Sequence, residues 1–102
     1  MVETIKFMSM QLLYACCDGN FERVKELLLN PDVDPTIYKN NAIQIAAKHN
    51  HIEIVEVLLE DPRVDPSADD NLAMTWARDH GHYEIEDMIS KHPKVIASFK
   101  KN

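Results

Sequence analysis

Residues 30–35 read Asn-Pro-Asp-Val-Asp-Pro, and residues 61–66 read Asp-Pro-Arg-Val-Asp-Pro, so one motif recurs after 31 residues. When residues 30–60 are placed on residues 61–91 without a gap, 11 of the 31 positions are identical. The same step aligns Val33 with Val64 and then with Val95. A fixed period over the whole chain is the signature of a repeat architecture, in which each unit packs on its neighbours.

Length and charge exclude several classes of function. The chain has 102 residues, which predicts one domain over residues 1–102 and leaves no room for a multidomain enzyme. Seventeen acidic side chains against eleven basic ones give a net charge of −6. Because an acidic surface repels phosphates, we expect no nucleic-acid partner.

The cysteines and the apolar segments bear on the compartment. Cys16 and Cys17 are adjacent, so a disulfide between them would be strained, and we expect free thiols in a reducing environment. No apolar run of 18 residues is present, so we expect no membrane partner. The stretch from Phe7 to Cys17 fits poorly with a signal-peptide core. We therefore expect an intracellular, cytoplasmic protein, with the nucleus left open.

Each repeat is predicted to hold two helices joined by a tight turn. Ser9, Asn40 and Asn71 share one column and are interpreted as helix N-caps. Gly and Asn in a second column favour a left-handed turn after the first helix. The predicted inner helices cover residues 10–18, 41–49 and 72–80, and the predicted outer helices cover residues 21–29, 52–60 and 83–91. The Pro- and Asp-rich segments 31–40 and 62–71 are predicted to project as loops or short hairpins.

This organisation, together with the stretch from Asn41 to Leu59 (NAIQIAAKHNHIEIVEVLL), closely resembles the ankyrin repeat. The resemblance implies an all-α, ankyrin-repeat solenoid with repeats at about 9–39, 40–70 and 71–92 and a C-terminal tail at 93–102. The period of 31 and the altered finger motifs predict short projecting loops. Val2, Ile5 and Phe7 occupy the loop register of the first copy.

The third copy carries polar residues where the others are apolar. Glu86 stands in the column of Val55, and Ser90 stands in the column of Leu59. Because a solenoid needs a polar terminal surface, we interpret the third copy as the C-terminal cap. Ile96 to Lys101 then forms a short tail that is either extended or helical.

Three residue patterns could indicate a chemical site, and each has another explanation. His49 and His51, and likewise His80 and His82, form His-x-His tracts, but stacked repeats separate the tracts by about 8–10 Å, too far for one shared zinc ion. Acidic residues around the second loop lack the spacing of a calcium loop and are interpreted as turn formers. Cys16 occupies a small-residue column and is interpreted as packing rather than as a nucleophile. We therefore predict no catalytic residue, no metal site and no cofactor.

The remaining candidate is a binding surface. The bulky column Tyr14, Ile45 and Trp76 is interpreted as interior packing. By resemblance, the partner-binding face contains the loop tips and the ends of the inner helices, and among these Phe7 and Tyr38 are either binding anchors or rings folded over their own loops. The predicted site residues are Phe7, Met8, Cys17, Asp18, Tyr38, Lys39, Lys48, His49, Asp69, Asp70, Asp79 and His80.

The resemblance implies a non-catalytic protein-protein interaction module that acts as an adaptor or a blocking inhibitor. Its partner would be another protein, with a basic patch facing Asp69, Asp70 and Asp79, and the chain itself is expected to be a monomer. A source in a virus or a bacterial effector would place it in the host cytoplasm. The alternatives are a self-assembling structural protein and, behind it, a His-based metal binder.

Overall fold

The structure is a computed structural model that describes residues 2–100, and in this range it contains seven helices and no strand. Each predicted helix is present, with ends within a few residues of those expected, apart from the first. The helices are α1 (Val2–Asp18), α2 (Phe21–Leu28), α3 (Ile37–Lys48), α4 (Ile52–Glu60), α5 (Ala68–Asp79), α6 (Tyr83–Ser90) and α7 (Pro93–Phe99).

The helices form two layers. In the inner layer α1 packs on α3 and α3 packs on α5, while α2, α4 and α6 lie side by side in the outer layer. Ala42, Ala46 and Ala47 are fully buried on α3, which lets this helix lie between two neighbours. Glu53, Glu56 and Glu60 form an exposed stripe on α4. The all-α solenoid predicted from the repeat is confirmed.

Proline decides where a copy forms a finger. Pro35 and Pro66 are buried in the loops 31–40 and 62–71, and three consecutive left-handed residues begin three positions after each, Tyr38–Asn40 and Asp69–Asn71. These turns lie at the start of the inner helices, in the first residues of α3 and α5. With no strand among residues 2–100, the predicted loops are not hairpins. Their tips are single left-handed turns.

The first copy has no such finger, and the prediction of a loop there is wrong. Thr4 stands in the column of Pro35, nothing interrupts the helix, and α1 runs without a break from Val2 to Asp18. Phe7 and Met8 therefore lie on a helix and not on a loop tip. Ala97 stands in the same column at the other end, and there the tail forms α7.

The interpretation of Ser9, Asn40 and Asn71 as N-caps is also wrong. Ser9 lies in the middle of α1, and its hydroxyl accepts a hydrogen bond of 2.7 Å from the Asp34 amide of the next loop. The Asn40 side chain accepts one of 2.8 Å from the Asp65 amide. The column serves to connect successive repeats.

Two more columns connect the repeats in the same manner. The Nε2 atoms of His51 and His82 lie 3.2 and 3.1 Å from the carbonyl oxygens of Cys17 and Lys48, one repeat earlier. Arg63 donates to the Val33 carbonyl at 2.6 Å. Lys94 occupies the same column one repeat later and donates to the Val64 carbonyl at 2.9 Å. Inter-repeat order therefore rests on side chains that bond to backbone, as well as on the apolar core.

Candidate functional site

The finger tips hold exposed side chains on a strained backbone. Tyr38 is 54% exposed, and Lys39, Asp69 and Asp70 are exposed as well. Left-handed geometry costs roughly 1–2 kcal/mol for each residue with a Cβ, so the surroundings must hold it. Gln44 does so at the first finger, where its amide donates to the Lys39 carbonyl at 2.9 Å.

Tyr38 lies beside an apolar cleft and is not folded fully over its own loop. It lines an open cleft of about 340 Å³ together with Ile5 of α1 and Ile37 of its own finger. More than half of the side chain still faces solvent. The ring therefore has an apolar contact on one side and a free face on the other.

The C-terminal ends of the inner helices carry the other predicted site residues. Cys17 and Asp18 on α1, Asp79 on α5 and the adjoining His49 and His80 are all exposed. The eight residues between a finger tip and the helix end span about 12 Å. The structure therefore separates the predicted site into two sets at opposite ends of the inner helices.

The surface between these two sets is the column Tyr14, Ile45 and Trp76, and the interpretation of this column as interior packing is wrong in part. Tyr14 is 53% exposed, whereas Ile45 and Trp76 are partly buried. The Lys48 ammonium lies 4.6 Å from the centre of the Trp76 ring, a cation–π contact. An apolar row thus runs across the face that presents the predicted residues.

Sequence reasoning named Lys48 on this face but missed its polar neighbours Asn41 and Gln44. Asn41, Gln44 and Lys48 follow a spacing of i, i+3 and i+7, which puts them on one side of α3. Together with Ile45 and Trp76 they line a small cleft of about 120 Å³. The spacing is visible in the sequence, although α3 was interpreted there only as an apolar inner helix.

The acidic residues near the second loop form turns, as predicted. Asp61 accepts from the Arg63 amide at 2.9 Å, and Asp65 accepts from the Ser67 amide at 3.0 Å. The hydrogen bond from the Arg63 guanidinium to the Asp61 carboxylate is the main reason that the pKa of Asp61 lies below its ordinary value. Asp69 and Asp70 take no part in these bonds and project from the tip.

The thiols differ in environment. Cys16 is fully buried, and this burial raises the pKa of its thiol to about 12. Cys16 is therefore a packing residue, as predicted, because only the thiolate is a good nucleophile. The next residue, Cys17, is exposed to solvent.

The histidines have a structural part in the turns. His51 and His82 bond to backbone carbonyls, and His80 Nδ1 lies 3.0 Å from the Trp76 carbonyl oxygen. Within the part of the chain that the structure describes, no three His, Cys, Asp or Glu side chains are grouped to hold a metal ion. No helix in that part has the length and apolar character needed to cross a membrane.

Comparison with protein families gives a match to the ankyrin repeats in three copies, over residues 12–97. The chain belongs to the ankyrin repeat family. Members of this family generally mediate binding between proteins and are typically not catalysts. Searches of curated proteins and of solved structures returned no match.

Proposed function

We propose that this chain binds another protein through the face formed by its finger tips and inner helices, and that it acts by occupancy as a blocking inhibitor or an adaptor. One observation carries the proposal: none of the twelve predicted site residues is buried, and ten of them are exposed. Two exposed aromatic rings, Phe7 and Tyr38, are among them. Aromatic side chains of this kind are preferred anchors at protein interfaces.

The charges on this face support a particular kind of partner. Lys39 and Lys48 lie on α3, the middle inner helix, whereas Asp69, Asp70 and Asp79 lie on α5, the inner helix of the third copy. The face is therefore polarised, and a partner with a basic patch over the third repeat fits it. Complementary charge at an interface mainly speeds association.

A second candidate function is self-association, and one observation favours it. Ile96 and Phe99 on α7 are 43% and 64% exposed, so this helix presents apolar surface at the end of the stack. Against this, we favour a monomer, because the polar residues Glu86 and Ser90 stand at the same end. Light scattering on the purified chain separates the two functions.

The proposed function is tested once a pull-down has supplied a partner. Tyr38→Ala is expected to speed dissociation and to cost about 2 kcal/mol if the ring is an anchor. Asp69→Lys combined with Asp70→Lys is expected to slow association in a salt-dependent way. Binding kinetics at two salt concentrations measure both effects.

The outer stripe supplies the control for these variants. Glu53→Ala combined with Glu56→Ala changes the exposed face of α4 and is expected to leave binding unchanged. If these outer variants abolish binding while the Tyr38 and Asp69/Asp70 variants bind like the parent, the outer surface is the functional one and the proposal is wrong.

A further inference from the structure

The cleft between α3 and α5 is the part of the inner face most closely shaped for a ligand group. Its volume of about 120 Å³ corresponds to roughly four water molecules. Pockets for small organic ligands start at about 300 Å³, so the cleft fits a single side chain. We propose that it takes an Asp or Glu side chain of the bound protein, with Lys48 as the ion-pair partner. This inference rests on the proposed function and names the chemistry of one contact in it.

Lys48 is unlike the other cationic side chains. Among the Lys and Arg residues within 3–100, it alone is not classed as exposed. Five others form ion pairs with carboxylates on their own surface, whereas Lys48 has none among the described residues. A half-buried lysine whose ammonium has no acidic partner can pair with an incoming carboxylate, to which it offers three N–H donors.

Both walls of the cleft are held in place before any partner arrives. His82 is within 3.1 Å of the Lys48 carbonyl oxygen, which fixes the end of α3, and Trp76 holds the ammonium at 4.6 Å from its ring. On its other side Trp76 packs on His80, with ring centroids 5.5 Å apart. A site that is already ordered loses little conformational entropy on binding.

Acidic residues near the cleft restrict which residues can flank the bound Asp or Glu of the partner. Asp79 lies at the C-terminal end of α5, and Asp69 and Asp70 lie in the left-handed turn at its N-terminal end. A run of acidic residues in the partner would be repelled by these groups. The matching segment therefore carries one acid for Lys48 among neutral or basic residues, which agrees with a basic patch over the third repeat.

Phage display of random 16-residue peptides on the parent protein tests the inference without a known partner. We expect the selected peptides to share an Asp or Glu. Synthetic versions without tryptophan can be titrated against the fluorescence of Trp76, since the chain has a single tryptophan. Lys48→Gln in the protein, or the acid changed to its amide in the peptide, should each weaken binding about tenfold or more. The two changes together should weaken binding no more than either change alone.

Lys25→Gln is a matched control, because Lys25 also lies 4.6 Å from an aromatic ring, that of Phe21, but on the outer layer. It should leave peptide affinity unchanged, and Lys48→Arg should retain most of it. Circular dichroism of each variant shows that the fold is intact.

Three results overturn the inference: no peptide is selected, the selected peptides lack an acid, or Lys48→Gln binds them like the parent. If binding then still depends on Tyr38 or on Asp69 and Asp70, only the carboxylate contact is wrong. If none of these substitutions changed the affinity for the selected peptides, the proposed binding face itself would be contradicted.

Discussion

At the scale of single residues, two adjacent cysteines show how burial sets reactivity. Cys16 is buried in the inner layer with a thiol pKa raised to about 12 from an ordinary value of 9.0, chiefly by burial and further by Cys17. In the unfolded chain the thiol would lose its proton about three pH units earlier. Above pH 9 the unfolded state therefore binds fewer protons than the folded state, and stability falls as pH rises toward 12.

This effect gives a measurable pH dependence. One such thiol should reduce the free energy of unfolding by about 1 kcal/mol between pH 9 and 10. Urea unfolding at the two pH values should show that loss in the parent and in Cys17→Ala. In Cys16→Ala the loss in the free energy of unfolding between pH 9 and 10 should be about 1 kcal/mol smaller. An equal pH dependence of stability in all three proteins would contradict the burial argument.

Two glycines in the same column separate backbone strain from steric contact. Gly19 and Gly81 have φ of +74° and +75°, but a Cβ at Gly19 would lie 2.7 Å from the His51 ring, whereas at Gly81 it would meet nothing within 4 Å. Both alanine variants should pay for left-handed geometry, about 1 kcal/mol.

Gly19→Ala should cost at least about 1 kcal/mol more than Gly81→Ala, because the His51 ring must move and its bond to the Cys17 carbonyl is lost. Denaturant unfolding of the two variants measures the difference. Equal losses would show that the His51 ring yields without cost.

At the scale of elements, α7 replaces a fourth finger and still fills its place in the core. Val95 is fully buried, as are Val33 and Val64 in the same column, whereas its neighbour Ile96 is 43% exposed. Lys94 ties the helix to the preceding loop through the carbonyls of Pro62 and Val64, each at 2.9 Å. The short helix thus closes the third repeat.

Val95→Ala should therefore destabilise the fold by about 2 kcal/mol, within the range for a shortened core side chain. Ile96→Ala should change stability by no more than about 0.5 kcal/mol, as for most surface positions. Thermal or urea unfolding measures both. Similar losses in the two variants would mean that α7 packs with a different face.

The outer helices could be predicted closely because their signal is local. The segment 52–60 was predicted as a helix, and α4 has these bounds, since three glutamates at helical spacing and an apolar remainder determine both its extent and its orientation. The absence of a loop in the first copy also had a local signal, because Thr4 stands where the other two copies have a proline. The hydrogen bond between Asn40 and the next loop had no local signal in the sequence, because its partner, the Asp65 amide, lies 25 residues further along the chain.

The candidate site could be predicted only in part, because some of its features follow from the repeat register and others from the packing of the helices. The left-handed tips and helix ends follow from repeat register, but the exposure of Tyr14 depends on how the inner helices lie side by side. Register aligned Tyr14 with Ile45 and Trp76 without stating which way the column points. Only the packing of α1, α3 and α5 decides that.

At the scale of the whole molecule, the third repeat lacks contacts that the earlier repeats have. The buried Asn71 Oδ1 has no hydrogen-bond partner among residues 2–100, whereas Asn40 Oδ1 accepts from the next loop. Gly81 faces open space where Gly19 meets a histidine ring. Glu86 and Ser90 keep the outer helix polar here, and Glu86 is paired with Arg78 at 2.7 Å.

Replacing these polar groups should turn this end into an association surface. Val24 and Val55, the equivalents of Glu86, are fully buried against neighbouring repeats. Glu86→Val combined with Ser90→Leu recreates that apolar surface on α6 with no repeat to cover it, next to a helix that already exposes Phe99. Large exposed apolar patches promote association, so the molar mass from light scattering should rise with concentration more steeply than for the parent. Glu86→Gln combined with Ser90→Thr removes the charge without the apolar gain and should behave like the parent. A double apolar variant with the parent's molar mass at every concentration would mean that α7 already covers this surface.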